Sequence, residues 1–169
     1  MENKISLFIA TSLDGYIADQ DENLEWLFSA EGQGEAGYYK EIDNVIMGSR
    51  TFDWMETHLD KWPYDDKNCY IFSRKDHSET TKAEFVNPDN LLSFSKNLTG
   101  NTWIVGGGKI IKSFLENQLI DEITLAVAPV LFGQGVSLFP QGDYEQKLEL
   151  LGTRTFGQFV ELKYKVNHS

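Results

Sequence analysis

Three times along the chain a short apolar run of strand length breaks off into a turn of small residues and cations. Asn44 to Met47 leads into Gly48-Ser49-Arg50-Thr51, Asn68 to Phe72 into Ser73-Arg74-Lys75, and Thr102 to Val105 into Gly106-Gly107-Gly108-Lys109. After the first turn Ser49 or Thr51 can cap a helix start, and after the third the stretch Lys109 to Leu119 sets Ile111, Phe114, Leu115 and Leu119 on one helical face. Lys4 to Thr11, Tyr16 to Ala18 and Glu122 to Ala128 read as further strands, and Pro88 to Leu98 as a helix with proline in its first turn and Gly100 beyond its end. Such alternation predicts a parallel sheet with right-handed crossovers. The tail differs, because Phe159 to Val166 alternates apolar and charged residues, the period of a strand with one wet face, and Lys147 to Leu151 is its expected partner. The fold class is therefore α/β: a three-layer α/β/α sandwich with a mixed, mostly parallel sheet and antiparallel C-terminal strands. No repeat or Pro/Ser-rich linker divides the 169 residues, which read as a single domain, 1–169.

Charge narrows the partners. With 26 acidic and 15 basic side chains the formal net charge is −11, so nucleic acid and anionic membrane would be repelled at long range. Neither is expected as a partner. No run approaches the roughly 20 apolar residues of a membrane-spanning helix. Cys69 is the only cysteine, which rules out an internal disulfide or a cysteine-built zinc site and fits a reducing, cytoplasmic setting. His58, His77 and His168 lack ligand spacing, so no metal is expected.

In an open parallel sheet the carboxyl ends of the strands share one edge, where ligands bind between the loops. Arg50, Arg74, Lys75 and Lys109 all fall at predicted strand ends of an otherwise acidic chain. Glycines let a phosphate approach the amides of a helix start, whose dipole favours an anion. The placement points to a phosphate-bearing ligand. A Walker A loop would need glycine five residues before Gly108-Lys109 and a hydroxyl after it, where Trp103 and Ile110 stand. A Rossmann fingerprint beginning at Gly106 would need glycine at Ile111.

The ordered set Ile9-Ala10-Thr11-Ser12-Leu13-Asp14-Gly15-Tyr16-Ile17-Ala18, Val45-Ile46-Met47-Gly48-Ser49-Arg50-Thr51-Phe52, Val105-Gly106-Gly107-Gly108-Lys109, Asp121-Glu122-Ile123 and Pro129 to Gly135 with Leu138-Phe139 resembles the dihydrofolate-reductase-like superfamily, in its branch of RibD C-terminal domains and stand-alone relatives. The resemblance implies an NADPH-dependent reductase that passes a hydride to a small heterocyclic, pteridine- or pyrimidine-like substrate. By matching positions, Ala10, Ile17 and Ala18 would line the nicotinamide. Gly48, Ser49, Arg50 and Thr51 would hold phosphate, Ser73, Arg74 and Lys75 the adenosine side, and Val105, Gly106, Gly107, Gly108 and Lys109 the pyrophosphate. The family often carries arginine directly after the first glycine, whereas here Ser49 stands there and Arg50 follows. A noncatalytic NADP-binding module of the same fold is the alternative, and a homodimer is compatible with the strand Phe159 to Val166 as an edge.

On the substrate side the resemblance supplies two candidate catalytic carboxylates, Asp14 and Glu31. Counted from Trp26, Glu31 fills the position of the folate-reducing carboxylate; counted back from Met47-Gly48, Gly32 stands there. The hydroxyl that supports that carboxylate falls at Ala126, and the arginine that grips the folate tail falls near Lys67, which disfavours dihydrofolate. Asp14 is either a polar contact or proton relay at the substrate, or the aspartate of a turn that closes a strand. Trp26, Phe28, Tyr38 and Tyr39 are either stacking platforms or core.

Overall fold

Apolar runs with no wet face belong inside a sheet covered on both sides. The computed structural model describes residues 3–18, 35–75 and 82–168. Its elements in chain order are β1 (Ile5–Thr11), β2 (Tyr16–Ala18), α1 (Glu35–Lys40), β3 (Asn44–Gly48), α2 (Ser49–His58), β4 (Asn68–Phe72), β5 (Glu84–Val86), a 3₁₀ turn (Pro88–Asn90) running into α3 (Leu91–Asn97), β6 (Thr102–Gly106), α4 (Gly108–Glu116), β7 (Glu122–Val127), β8 (Val136–Ser137), β9 (Lys147–Phe156) and β10 (Phe159–Asn167). The main sheet has the order β5-β4-β3-β6-β1-β7-β10-β9, parallel from β5 through β7 and antiparallel at β10 and β9. β2 and β8 form a separate antiparallel ribbon.

Side chains on a strand alternate between faces, so each run feeds two cores. Leu7, Ile9, Ile46, Phe72 and Ile104 pack with Leu91 of α3 and with Ile110, Ile111 and Phe114 of α4. Phe8, Val45, Met47, Cys69, Ile71 and Trp103 pack on the opposite face with Phe52 and Met55 of α2, and Tyr38 and Tyr39 of α1 join them. Right-handed crossovers account for this division, because the chain moves one way along the sheet from β1 through β5 and the other way from β5 through β6 to β7. β6 is inserted between β3 and β1, and the ends of strands at such a reversal are where open α/β sheets bind ligands.

The sequence reading holds for the architecture and errs at particular edges. Glu84 to Val86, a three-residue strand, carries too little pattern to be read and is missing from the expectation, as is Val136–Ser137. The stretch from Pro88 divides into a 3₁₀ turn and a shorter helix. α4 stops at Glu116, three residues before Leu119, where Gln118 takes a positive φ of 55°. β9 runs on to Phe156 instead of ending at Leu151, because it pairs with β10 along its whole length around a bulge opposite Lys163 and Tyr164. A helix, Glu35–Lys40, precedes β3 where the sequence pattern marks none. Trp26, Phe28 and Glu31 lie outside the described residues.

Candidate functional site

β3 and β6 are neighbours, so their terminal turns meet. Gly48 and Gly107 are the N-caps of α2 and α4, and neither helix start receives a side-chain cap. The first amides of both helices are therefore not closed off by a capping oxygen. The two turns touch: a Cβ on Gly48 would lie 3.2 Å from Ile110 and 3.8 Å from the Gly107 nitrogen, and one on Gly107 would lie 3.6 Å from Thr51 Oγ1 and 3.7 Å from Ile17 Cδ1. Gly106 sits at φ 145°, a backbone region that favours glycine, and the Gly106–Gly107 peptide is cis. Gly108 packs so closely that a Cβ would come within 2.6 Å of the Ser137 carbonyl, which seats α4 against β8. The register between β3 and β6 shifts after Ile46, leaving Val105 as the extra residue of a bulge beside these turns.

The structure thus gathers most of the sequence-derived residues along one edge. Ser73-Arg74-Lys75 follow β4, Gly48 to Thr51 follow β3, Gly106 to Lys109 follow β6, and Ala10 lies near the end of β1, in the order of adjacent strands. Ile17 and Ala18 are buried on β2, with Ile17 against the glycine turn. Arg50 and Lys109 are exposed on the first turns of α2 and α4. Arg74 is already engaged: its Nη1 and Nη2 donate to the two carboxylate oxygens of Asp89, each at 2.9 Å. That pair raises the Arg74 pKa and lowers that of Asp89, in both cases chiefly through the hydrogen bonds between them. Sequence reading missed Asp89, whose only signal was its place in the first turn after Pro88.

Asp14 occupies a turn held from several sides. Ser12 Oγ donates to Asp14 Oδ1 at 2.7 Å, and the Gly133 and Phe132 amides donate to its Oδ2 and Oδ1 at 2.8 and 3.2 Å. The Tyr16 amide donates to Ser12 Oγ at 2.8 Å, and the Leu13 amide to the Val130 carbonyl at 2.8 Å. The Ser12 hydroxyl foremost, with the two loop amides, holds the Asp14 carboxyl below its usual range. An ionised carboxylate that accepts from backbone amides clamps the loop after β7 onto the turn after β1. Asp14 is thus the aspartate of a strand-closing turn, with a second grip on a distant loop.

A depressed folded pKa means that this clamp is complete above the unfolded carboxylate value of about 3.9 and is lost as pH falls through the folded value. Protection of the Phe132 and Gly133 amides, taken relative to intrinsic exchange at each pH, is expected to fall on acidification through that range, and Asp14→Asn is expected to lower it at neutral pH. Hydrogen exchange read residue by residue checks this; unchanged protection in the variant would remove the clamp.

The positions matched to folate recognition are filled differently. Ala126 is buried and pairs with Ala10 across β7 and β1, so small side chains face each other there. Lys67 lies with its Nζ 4.4 Å from the Tyr39 ring centroid and 3.7 Å from Asp66 Oδ2. Tyr38 and Tyr39 are packing residues: Tyr38 lies 4.7 Å from Phe8 between ring centroids and shares a hydrogen bond with Ser6, and the Tyr39 hydroxyl donates to Asp66. Burial, then that bond to Asp66, pushes the Tyr39 hydroxyl well above its ordinary pKa. Trp103 and Phe114 are core residues, as their sequence contexts indicate, and the Trp103 indole donates to the Phe8 carbonyl at 2.8 Å.

Among the described residues no group of His, Cys, Asp and Glu is arranged to hold a metal, and no helix is long and apolar enough to cross a membrane. His58 stacks on Trp54 and contacts its carbonyl, and His168 contacts Asp121. Burial raises the Cys69 thiol to about 11, which makes it a core residue and a poor nucleophile at neutral pH.

The helix layers and the mixed, mostly parallel sheet with antiparallel C-terminal strands are those of the dihydrofolate-reductase-like fold. The structure superposes with a TM-score of 0.82 on a putative riboflavin biosynthesis protein from Shewanella sp. PV-4, 26% identical, covering 98% of this chain and 99% of that one. Dihydrofolate reductase from Enterococcus faecalis, solved in complex with NADP(H), gives 0.73 at 16% identity over 98% and 97% of the two chains, a likeness of fold. In sequence the chain is 38% identical over 172 residues to the uncharacterized protein YwjB of Bacillus subtilis (strain 168), covering 97% of this chain and 98% of that protein. Residues 65–162 match the RibD C-terminal domain. The chain belongs to the RibD C-terminal domain family.

Proposed function

We propose that this protein is an NADPH-dependent reductase acting on a small heterocycle of pteridine or pyrimidine type, similar to the 5-amino-6-(5-phosphoribosylamino)uracil reductase of riboflavin synthesis. The observation that carries the reading is the meeting of two uncapped, glycine-led helix starts, with Thr51 between them and Arg50 and Lys109 on their first turns. Amides and a hydroxyl at two touching helix starts, with a cation on the first turn of each, fit a diphosphate in a chain whose net charge of −11 would otherwise repel it.

In this reading Gly48 to Thr51 and Gly106 to Lys109 hold the pyrophosphate, and Ser73 to Lys75 take the adenosine end. Ala10, Ile17 and Ala18 border the nicotinamide, whose chemistry when bound is to supply a hydride. Buried Ile17 and Ala18 exclude water on one side, and the small pair Ala10 and Ala126 leaves room for a flat ring at the ends of β1 and β7. The protein's main contribution is then orientation. Asp14 positions the loop after β7 and accepts hydrogen bonds, so the proton comes from Glu31 or from water.

Nicotinamide fluorescence on titration with NADPH tests binding, and loss of reduced-nicotinamide absorbance across a panel of pteridines and aminopyrimidines tests turnover. Saturable binding with consumption supports the reductase. Binding without consumption by any acceptor would favour the noncatalytic module.

The same reading includes a homodimer. β9 is an edge strand whose residues from Lys147 to Thr155 are all exposed, Leu148, Leu150 and Leu151 among them. Antiparallel pairing of two copies about an axis between Leu151 and Gly152 would set Glu149 opposite Arg154, because the bulge brings both to one face. A mass near twice 19.3 kDa by light scattering is expected, and Leu150→Lys is expected to shift it toward the monomer. A monomer at every concentration would refute the pairing.

A further inference from the structure

Arg74 and Asp89 form a fork-to-fork pair at the adenosine end of the proposed site, and both are presented by fixed turns. The Ser73 amide donates to the Val86 carbonyl at 3.0 Å, which ties the turn after β4 to the end of β5. The Lys75 amide donates to Ser73 Oγ at 3.1 Å, and the Asp89 amide donates to Asn87 Oδ1 at 2.9 Å. From these anchors the guanidinium offers two parallel N–H groups and the carboxylate meets both at 2.9 Å. Arginine's planar fork fits a carboxylate and a phosphate in the same way, so the two compete for one face of the side chain. The pair is open to water, with the two side chains 64% and 68% exposed, so its grip is weak and displaceable.

We infer that Asp89 is a specificity-determining residue: by occupying Arg74 it limits how strongly the site favours a coenzyme phosphorylated on the adenosine ribose over the unphosphorylated one. NADPH and NADH differ by that phosphate alone. A phosphate arriving at Arg74 must displace the Asp89 carboxylate and then lie beside a like charge, whereas a bare ribose hydroxyl can accept the pair as it stands and donate to the carboxylate. The inference rests on the proposed coenzyme site and names what decides the choice within it.

The test is fluorescence titration of NADPH and NADH into the full chain, its Asp89→Asn and Arg74→Gln variants, and the double variant. Removing the competing charge is expected to tighten NADPH about threefold and to leave NADH nearly unchanged. Arg74→Gln is expected to weaken NADPH, and Asp89→Asn added to it is expected to give little further gain, because the effect runs through the guanidinium. Both positions are exposed, so unaltered melting curves should accompany these changes. If both coenzymes bind and their ratio does not move in Asp89→Asn, the inference is overturned while the coenzyme site stands. If neither coenzyme binds the unaltered protein, the site itself is refuted and the inference with it.

Discussion

Gly107→Ala is expected to leave the fold standing and to weaken NADPH binding about tenfold or more, a loss of at least about 1.4 kcal/mol. The added methyl would lie 3.6 Å from Thr51 Oγ1 and 3.7 Å from Ile17 Cδ1, ordinary contact distances, and Gly107 has a negative φ of −100° that alanine adopts. What the methyl removes is bare backbone at the start of α4, where a phosphate must come close to the amides. Thr51→Val tests the same crevice without added bulk, since it deletes a hydroxyl and keeps the shape. Calorimetry or fluorescence titration, read beside thermal melting, separates the effects. Both variants should melt near the unaltered protein while binding falls, and unchanged binding in both would mean that the glycine turn is structural only.

The largest effect on stability is expected from Phe114→Ala, about 3–5 kcal/mol. Phe114 is fully buried on α4 and meets Phe72 edge-on at 5.8 Å between ring centroids, while Phe72 in turn meets Phe94 of α3 at 5.2 Å. This aromatic file fastens both helices of one layer to β4, so truncation leaves a cavity that the sheet cannot close. Against a typical total of about 5–15 kcal/mol the loss is severe, and it corresponds to a melting temperature lower by roughly 10 °C or more. Denaturant unfolding monitored by tryptophan fluorescence checks it; a loss under about 1 kcal/mol would show that this face is not the main core.

The two predictions draw on features that differed in how plainly the sequence displayed them. The strands with both faces covered were legible because burial on two sides leaves a continuous apolar run, as in Val45-Ile46-Met47 and Tyr70-Ile71-Phe72. The glycine turns were legible because each follows such a run directly. The partners of the charged residues were not. Asp14 reaches amides 118 and 119 positions away, and the pairing depends on β1 and β7 lying side by side, which no local pattern states. Asp89 meets Arg74 only because the three-residue β5 lies beside β4, and a strand that short has no period to detect. Lys67, near the position matched to the folate-tail arginine, is laid over Tyr39. Charge in a sequence marks where an anion can be met, while the fold decides which cations are already occupied.

Arg74 comes to the site with its own carboxylate, while at the other end the N-termini of two helices, and with them the positive ends of their dipoles, meet. Affinity should therefore arise mainly at the pyrophosphate, with the adenosine end adjusting selectivity. Salt should weaken binding, since an exposed cationic pocket in an acidic protein is screened.

Titration of the unaltered protein with NADPH at low and at high salt, followed by nicotinamide fluorescence, is the most direct measurement. A saturable change at micromolar coenzyme that weakens as salt rises is what a diphosphate crevice built from Gly48 to Thr51 and Gly106 to Lys109 requires. A flat titration at both salt concentrations would contradict it.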